Sequence, residues 1–213
     1  QLWTPRPLCE QLQSASPYIK SISQVESYQS EDEYEVNGNL FKATTCTGFG
    51  NFLETFQPEM INGSADALNQ PKTVLLSEST AKKFFGTTDV IGQTIFRGKQ
   101  ADNNAWTIGG VYKDFPENSQ IKNWVMMPKE ADTDKGNWRN WNYICYMRLE
   151  SPSAAPGIEK LIWQIFVKNF PTLKQNSDIS QFIRLTPLTD AHFSTVGNKS
   201  ASSRTTLYLL ICV

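Results

Sequence analysis

Few residues in this 213-residue chain have the type and spacing to do chemistry. His192 is its one histidine, and Asp190 stands two residues before it. That pair is the beginning of a nucleophile-activating relay or of a metal site, yet the context completes neither. No serine sits in a G-x-S-x-G elbow, and two ligands fall short of the three or four a bound metal takes. The surroundings make His192 a turn or strand-end histidine, and a hydrolase built on it is the weakest functional alternative. Asp114 and Glu117 are a second carboxylate pair. Pro116 between them, with Asn118-Ser119 behind, makes that segment a turn with solvated carboxylates rather than an acid pair. Gly48 and Gly50 flank Phe49, but the third glycine and the Lys-Ser/Thr of a phosphate loop are missing. No catalytic, cofactor or metal residue is assigned.

The four cysteines, Cys9, Cys46, Cys145 and Cys212, show no metal-binding spacing. Cys145 and Cys212 lie among apolar residues and read as inert packing thiols. A Cys9 to Cys46 disulfide requires an extracytoplasmic compartment and compatible geometry. Trp106, Trp138 and Trp141 are candidate partner contacts, since aromatic side chains are enriched at interfaces. Trp124 belongs to the same set, and core packing accounts equally well for at least half of it. With 20 basic and 21 acidic residues the chain has no field that would gather nucleic acid.

The elements that position these residues follow from pattern. The clearest unit is Lys72-Thr73-Val74-Leu75-Leu76-Ser77-Glu78-Ser79-Thr80-Ala81-Lys82-Lys83-Phe84-Phe85-Gly86. It reads as an apolar strand, a serine cap, a short amphipathic helix burying Ala81, Phe84 and Phe85, and a glycine stop. A second strand enters through Gly92 and runs to Ile95. Upstream, the spacing predicts a helix over 5–16, a strand over 18–28, a solvated acidic turn over 30–35, and a hairpin at Asn37-Gly38 with a strand over 40–47. Phe49, Phe52, Leu53 and Phe56 form a helical stripe, 61–64 reads as a turn, and 66–71 as a polar linker. Downstream, strands are predicted over 105–112, 124–127 and 143–149, then a helix over 156–170 with Ile158, Leu161, Ile162, Ile165 and Phe166 on one face. A strand over 182–188 would complete a β-α-β element, giving an α+β chain. The apolar run 207–213 is either a last core element or the start of a membrane helix. As helix it reaches roughly 10 Å, where a bilayer core needs about 30 Å.

Three ordered stretches resemble the extracytoplasmic core domain of MacB-like and FtsX-like ABC transporter permeases. They are Val74-Leu75-Leu76-Ser77-Glu78-Ser79-Thr80-Ala81-Lys82-Lys83-Phe84-Phe85-Gly86 with Asp89-Val90-Ile91-Gly92-Gln93-Thr94-Ile95, then Thr107-Ile108-Gly109-Gly110-Val111-Tyr112-Lys113-Asp114-Phe115-Pro116-Glu117-Asn118-Ser119, and Pro187-Leu188-Thr189-Asp190-Ala191-His192-Phe193. The likeness implies a porter-like α/β sandwich made from both chain ends (1–68 and 143–204) and an inserted, mostly β, sabre-like portion (69–142). Residues 205–213 would begin a truncated second membrane helix.

It also implies a domain without catalysis or cofactor of its own, on the periplasmic side of the inner membrane, anchored by flanking helices. A nucleotide-binding subunit would hydrolyse ATP. A second permease copy, and an envelope adaptor or a peptide or lipoprotein substrate, would be the other partners; nucleic acid would not. The expected role is coupling ATP-driven motion of membrane helices to an envelope-side substrate or partner, in efflux, lipoprotein handling or mechanotransmission. The alternative is a module that senses a peptide or small molecule.

Overall fold

The computed structural model of the chain describes residues 3–26, 30–50, 52–117, 124–130, 132–175 and 183–188. His192, Asp190, Cys212, Phe182 and the 205–213 tail lie outside them. Its elements in chain order are β1 (Trp3–Thr4), α1 (Arg6–Ala15), β2 (Ile19–Glu26), β3 (Ser30–Val36), β4 (Asn39–Gly50), α2 (Phe52–Phe56), β5 (Met60–Gly63), β6 (Thr73–Ser77), α3 (Glu78–Phe85), β7 (Thr94–Arg97), β8 (Ala105–Tyr112), β9 (Val125–Pro128), β10 (Tyr143–Leu149) and α4 (Ala155–Asn169). Among the described residues no helix is long and apolar enough to cross a membrane.

Six strands close on themselves. β4 pairs with β3, β3 with β7, β7 with β8, β8 with β6, β6 with β9, and β9 returns in parallel to β4. Their inward side chains alternate as period 2 demands. Tyr34 and Val36, Val74 and Leu76, Ile95, Ile108, Val125 and Met127 form one core cluster with Phe41 and Ala43 packed against it. Helix α3 contributes Ala81, Phe84 and Phe85 to that cluster, and the Phe84 ring lies 5.6 Å from Tyr34 and 5.3 Å from Phe41. The cap is as the sequence predicts: Ser77 Oγ accepts from the Thr80 amide at 3.2 Å, and Gly86 ends the helix at φ 74°.

Strand β8 changes face at Gly109-Gly110. Its pairing with β6 slips there, from Val74 opposite Ile108 to Leu75 opposite Gly110, so Val111 joins the barrel core beside Ile108 although the two are three residues apart. A Cβ on Gly109 would stand 2.3 Å from Ala67 Cβ and 2.5 Å from Thr73 Cγ2. The glycine thus lets the 3-10 turn Ala65–Asn69 lie flat on the strand.

Outside the barrel, β1, β10 and β2 form an antiparallel run continuous with the end of β4. Helices α1 and α4 cover one face of it, burying Leu8, Leu12, Ile19, Ile22, Ile158, Ile162, Ile165 and Phe166 together. A third cluster, including Val25, Cys46, Leu75, Tyr112, Trp124 and Met126, joins the two parts. β4 runs through both: its start pairs with β3, its middle with β9, and its end with β2.

Five expectations are corrected. Residues 30–35 are not a turn but most of β3, because Glu31 and Glu33 face solvent while Tyr34 and Val36 face the core. Phe49 is not on a helix: β4 continues to Gly50 and pairs Phe49 with Gln24, leaving only Phe52–Phe56 helical. The expected turn at 61–64 is largely strand β5, and Ser64 caps the 3-10 turn where a linker was expected. Residues 183–188 form no strand; Ile183 and Leu185 pack on the helix layer, and the Leu185 amide donates to Glu159 Oε1 at 2.8 Å, so the segment's backbone is satisfied by a helix instead of a sheet edge. Finally, Cys145, expected as an inert packing thiol, is bonded to Cys9, while Cys46, expected as the partner of Cys9, is buried and free. The packing of α1 on β2, which pairs Gln24 with Cys145 of β10, sets that pairing, and sequence spacing does not reveal it.

Candidate partner-binding surface

Trp138 and Trp141 come together, and the loop that carries them is built around one carboxylate. Asp134, at φ 55°, accepts from Asn137 Nδ2 at 3.0 Å, from Asn140 Nδ2 and from the Tyr143 hydroxyl. These donors, the Tyr143 hydroxyl foremost, hold the Asp134 carboxyl below the usual aspartate range. Burial, with the Asp134 carboxylate beside it, pushes the Tyr143 hydroxyl upward.

So fixed, the loop lays Trp141 flat on Phe166, 5.4 Å between ring centroids and 13° between planes. Trp138 meets Phe166 and Phe170 edge-on at 6.4 and 5.9 Å. Both indoles are half-buried on the end of α4. They form an aromatic ledge that is braced from below and partly open above.

Trp106 is not part of that ledge. It sits on β8 against the barrel core, its Nε1 donates to Asn104 Oδ1 at 3.0 Å, and Lys72 Nζ lies 4.6 Å from the ring centroid. Trp124 is core: its amide donates to the Tyr112 hydroxyl, and that hydroxyl donates to the Trp124 carbonyl, both at 2.8 Å.

The other candidates resolve into structure. Asp114 Oδ1 accepts from the Ser79 amide at 3.0 Å, at the start of α3, so it serves a helix end. Gly48 lies in β4 opposite Val25, where a Cβ would come within 2.7 Å of the Gln24 carbonyl. Close strand approach, not phosphate binding, accounts for it. Among the described residues no group of three His, Cys, Asp or Glu side chains is placed to hold a metal.

Sequence reasoning missed a set of exposed apolar side chains. Leu40 follows the hairpin at 54% exposure, and Ile61 and Ile91 are exposed on neighbouring barrel segments, β5 and the 87–93 loop. Asn62 Nδ2 donates to the Thr88 carbonyl at 3.0 Å and ties those segments together. A groove of about 330 Å³, lined by Glu35, Asn37, Gln93, Thr94, Phe96 and Gln100, opens beside the hairpin. Period-2 alternation would have flagged Leu40 and Ile61 as outward-facing once their strands were placed.

A family model described as "MacB-like periplasmic core domain" matches residues 3–165. Among solved structures, a domain of a protein described as a permease from Porphyromonas gingivalis aligns with a TM-score of 0.69 at 26% identity, covering 79% of this chain and 78% of that one. The extracellular domain of the noncanonic ABC-type transporter YknZ from Gram-positive bacteria aligns at TM-score 0.56 and 15% identity, covering 80% of this chain and 86% of that one. The periplasmic region of MacB from Actinobacillus actinomycetemcomitans aligns at TM-score 0.56 and 16% identity, with 82% and 83% covered. At those lower identities the likeness is one of fold. No curated protein sequence matches the chain.

Proposed function

The chain belongs to the family of MacB-like periplasmic core domains, and from that membership we propose that it is the extracytoplasmic domain of an ABC-type permease. In this reading it carries motion from membrane helices to an envelope-side partner. The observation that supports it best is the way the chain divides. The barrel core is drawn from residues 34–127, while residues 8–22 and 138–185 build the helix-covered layer. A layer made from both ends and a barrel made from the middle suit a domain looped out from one side.

We place the division at 69 and 142, with the β3–β4 hairpin of the first segment supplying two of the barrel's strands. Strand β4, shared by barrel and layer, gives a displacement of the layer a covalent path into the barrel. The partners we assign are a nucleotide-binding subunit that hydrolyses ATP, a second permease copy, and an envelope adaptor or peptide or lipoprotein substrate. The ledge at Trp138 and Trp141 and the separate Trp106 face are proposed as its contact points. Linkage requires that contacts differ between nucleotide states. Site-directed crosslinks between the two copies of the full-length transporter should therefore change in yield on adding ATP. Equal yields with and without ATP would sink the proposal.

A further inference from the structure

The first described residues of the chain are fastened to β10 and to the strands and loop beside it. β1 pairs Trp3 with Ile144 and Thr4 with Tyr143, and the Thr4 hydroxyl donates to the Tyr143 carbonyl at 3.1 Å. Buried Gln24 donates to the Pro5 carbonyl at 3.1 Å and to Thr4 Oγ1 at 3.3 Å. Arg6, also buried, sits 4.0 Å from the Phe49 ring centroid, pairs with Glu10 at 3.1 Å and donates to the Thr133 carbonyl. One turn further along, Cys9 is joined to Cys145, 136 residues away and two residues past Tyr143.

Helix α1 needs this help. It has ten residues and no side-chain cap, and a helix so short is marginal alone. Its buried residues, Arg6, Pro7, Leu8, Cys9 and Leu12, all lie at or before Leu12, and 13–15 are exposed. Without a covalent tie, only the two β1–β10 pairs, the Thr4 bond and the non-covalent packing of α1 connect the chain start to β10.

We propose that the Cys9–Cys145 disulfide is a latch that makes the entering segment and β10 move as one body, so that a pull on the chain start is delivered to the β10–β2–β4 ladder. It closes by thiol–disulfide exchange with a disulfide donor of an oxidising compartment. The two thiols give up two electrons and two protons, the donor's sulfur–sulfur bond breaks as the Cys9–Cys145 bond forms, and the donor leaves as a dithiol. The latch rests on the proposed extracytoplasmic placement for its oxidant and on the proposed coupling for the pull it carries.

The test uses the 213-residue chain oxidised with glutathione disulfide, the same chain reduced, and a Cys9→Ala/Cys145→Ala double variant. Alkylation with N-ethylmaleimide after unfolding should add two groups to the oxidised chain, at Cys46 and Cys212, and four to the reduced one, since the chain has four cysteines. Peptide mapping should recover Cys9 linked to Cys145. Amide exchange in α1 should then rise by roughly 10-fold on reduction, with β6 and β8 unchanged, and the double variant should match the reduced chain without reductant. A Cys9–Cys46 link, no link, or α1 exchange indifferent to the bond would overturn the latch. Alkylation in acid-quenched cells separates the two claims: thiols that link in vitro but stay reduced in the cell count against the extracytoplasmic placement and the latch together, whereas a failure to link in vitro overturns the latch alone.

Discussion

The Ser79 backbone amide donates to Asp114 Oδ1 at 3.0 Å, and that bond joins two of the sequence's three ordered stretches. Ser79 lies in the first turn of α3, and Asp114 follows β8 directly. The carboxylate meets an amide that the helix itself leaves unpaired, in a position the helix dipole favours. Two segments 35 residues apart thus fix one another, which gives Asp114 a structural reason for its place.

Removing the cap that shares this helix end should cost more than removing the carboxylate. Ser77 is fully buried and bonds both the Thr80 amide and the Thr80 hydroxyl. Ser77→Ala should lower stability to urea by about 1–2 kcal/mol. Asp114→Ala should lower it by about 0.5 kcal/mol, and Asp114→Asn by less. Equal losses for all three would show that the helix end is not organised this way.

Gly109→Ala should be the most damaging of the small substitutions, by about 2–3 kcal/mol, because its Cβ has nowhere to go beside Ala67 and Thr73. Ala67→Gly in the same chain should recover part of that loss, giving a coupling of about 1 kcal/mol in a double-mutant cycle. Gly38→Ala, which meets nothing within 4 Å but sits at φ 78°, should cost only backbone strain of about 1 kcal/mol. Additive effects at positions 109 and 67 would contradict the packing argument.

Acid should loosen the loop that carries Trp138 and Trp141. Asp134 has a folded-state pKa below its ordinary value, so its stabilising contribution is complete above the ordinary aspartate range, near pH 4, and is lost as pH falls through the lowered native value. The gap in urea midpoint between the native chain and Asp134→Asn should therefore be widest above about pH 5 and narrow steadily below about pH 4. A gap independent of pH would mean that the carboxylate is not what the loop is built on.

The two indole environments should separate in mutation. Trp141 stacks on Phe166 and packs on Phe170, so Trp141→Ala should destabilise the chain by about 2–3 kcal/mol as well as weaken any partner contact. Trp141→Phe should recover most of that stability. Trp106→Ala should cost less than Trp141→Ala, since it loses one hydrogen bond and one cation contact besides its packing. Thermal unfolding of the three variants checks this, and a Trp141→Ala chain as stable as the parent would contradict it.

The sequence was most readable where local and tertiary demands coincide. Ser77, Gly86 and the Ala81, Phe84, Phe85 stripe specify a helix that the barrel also needs, so cap, stop and the buried Ala81 and Phe84 stand as expected, with Phe85 half-buried at the edge of the cluster. It misled where the fold's demand is not local. Glu31 and Glu33 look like a solvated break until a neighbouring strand gives Tyr34 and Val36 a core to face. Phe49 fits a helical stripe with Phe52 and Phe56, but pairing with Gln24 keeps it in β4. The Cys9–Cys145 bond spans 136 residues, and only the packing of α1 on β2, next to β10 in the sheet, brings its ends together. Among the candidate contacts, indole count pointed to Trp106, Trp138 and Trp141 together, whereas two separate clusters receive them.

Labelling from outside the cell reads the side of the membrane on which this domain stands. Glu33 is exposed on the barrel, so Glu33→Cys in the full-length permease presents a thiol while Cys46 stays buried, its own thiol pushed up to about 12 by burial. In cells with a permeabilised outer envelope and an intact inner membrane, a membrane-impermeant maleimide should label Glu33→Cys as fully as it does after detergent lysis. Labelling that appears only after lysis would place the barrel on the cytoplasmic side and contradict the account.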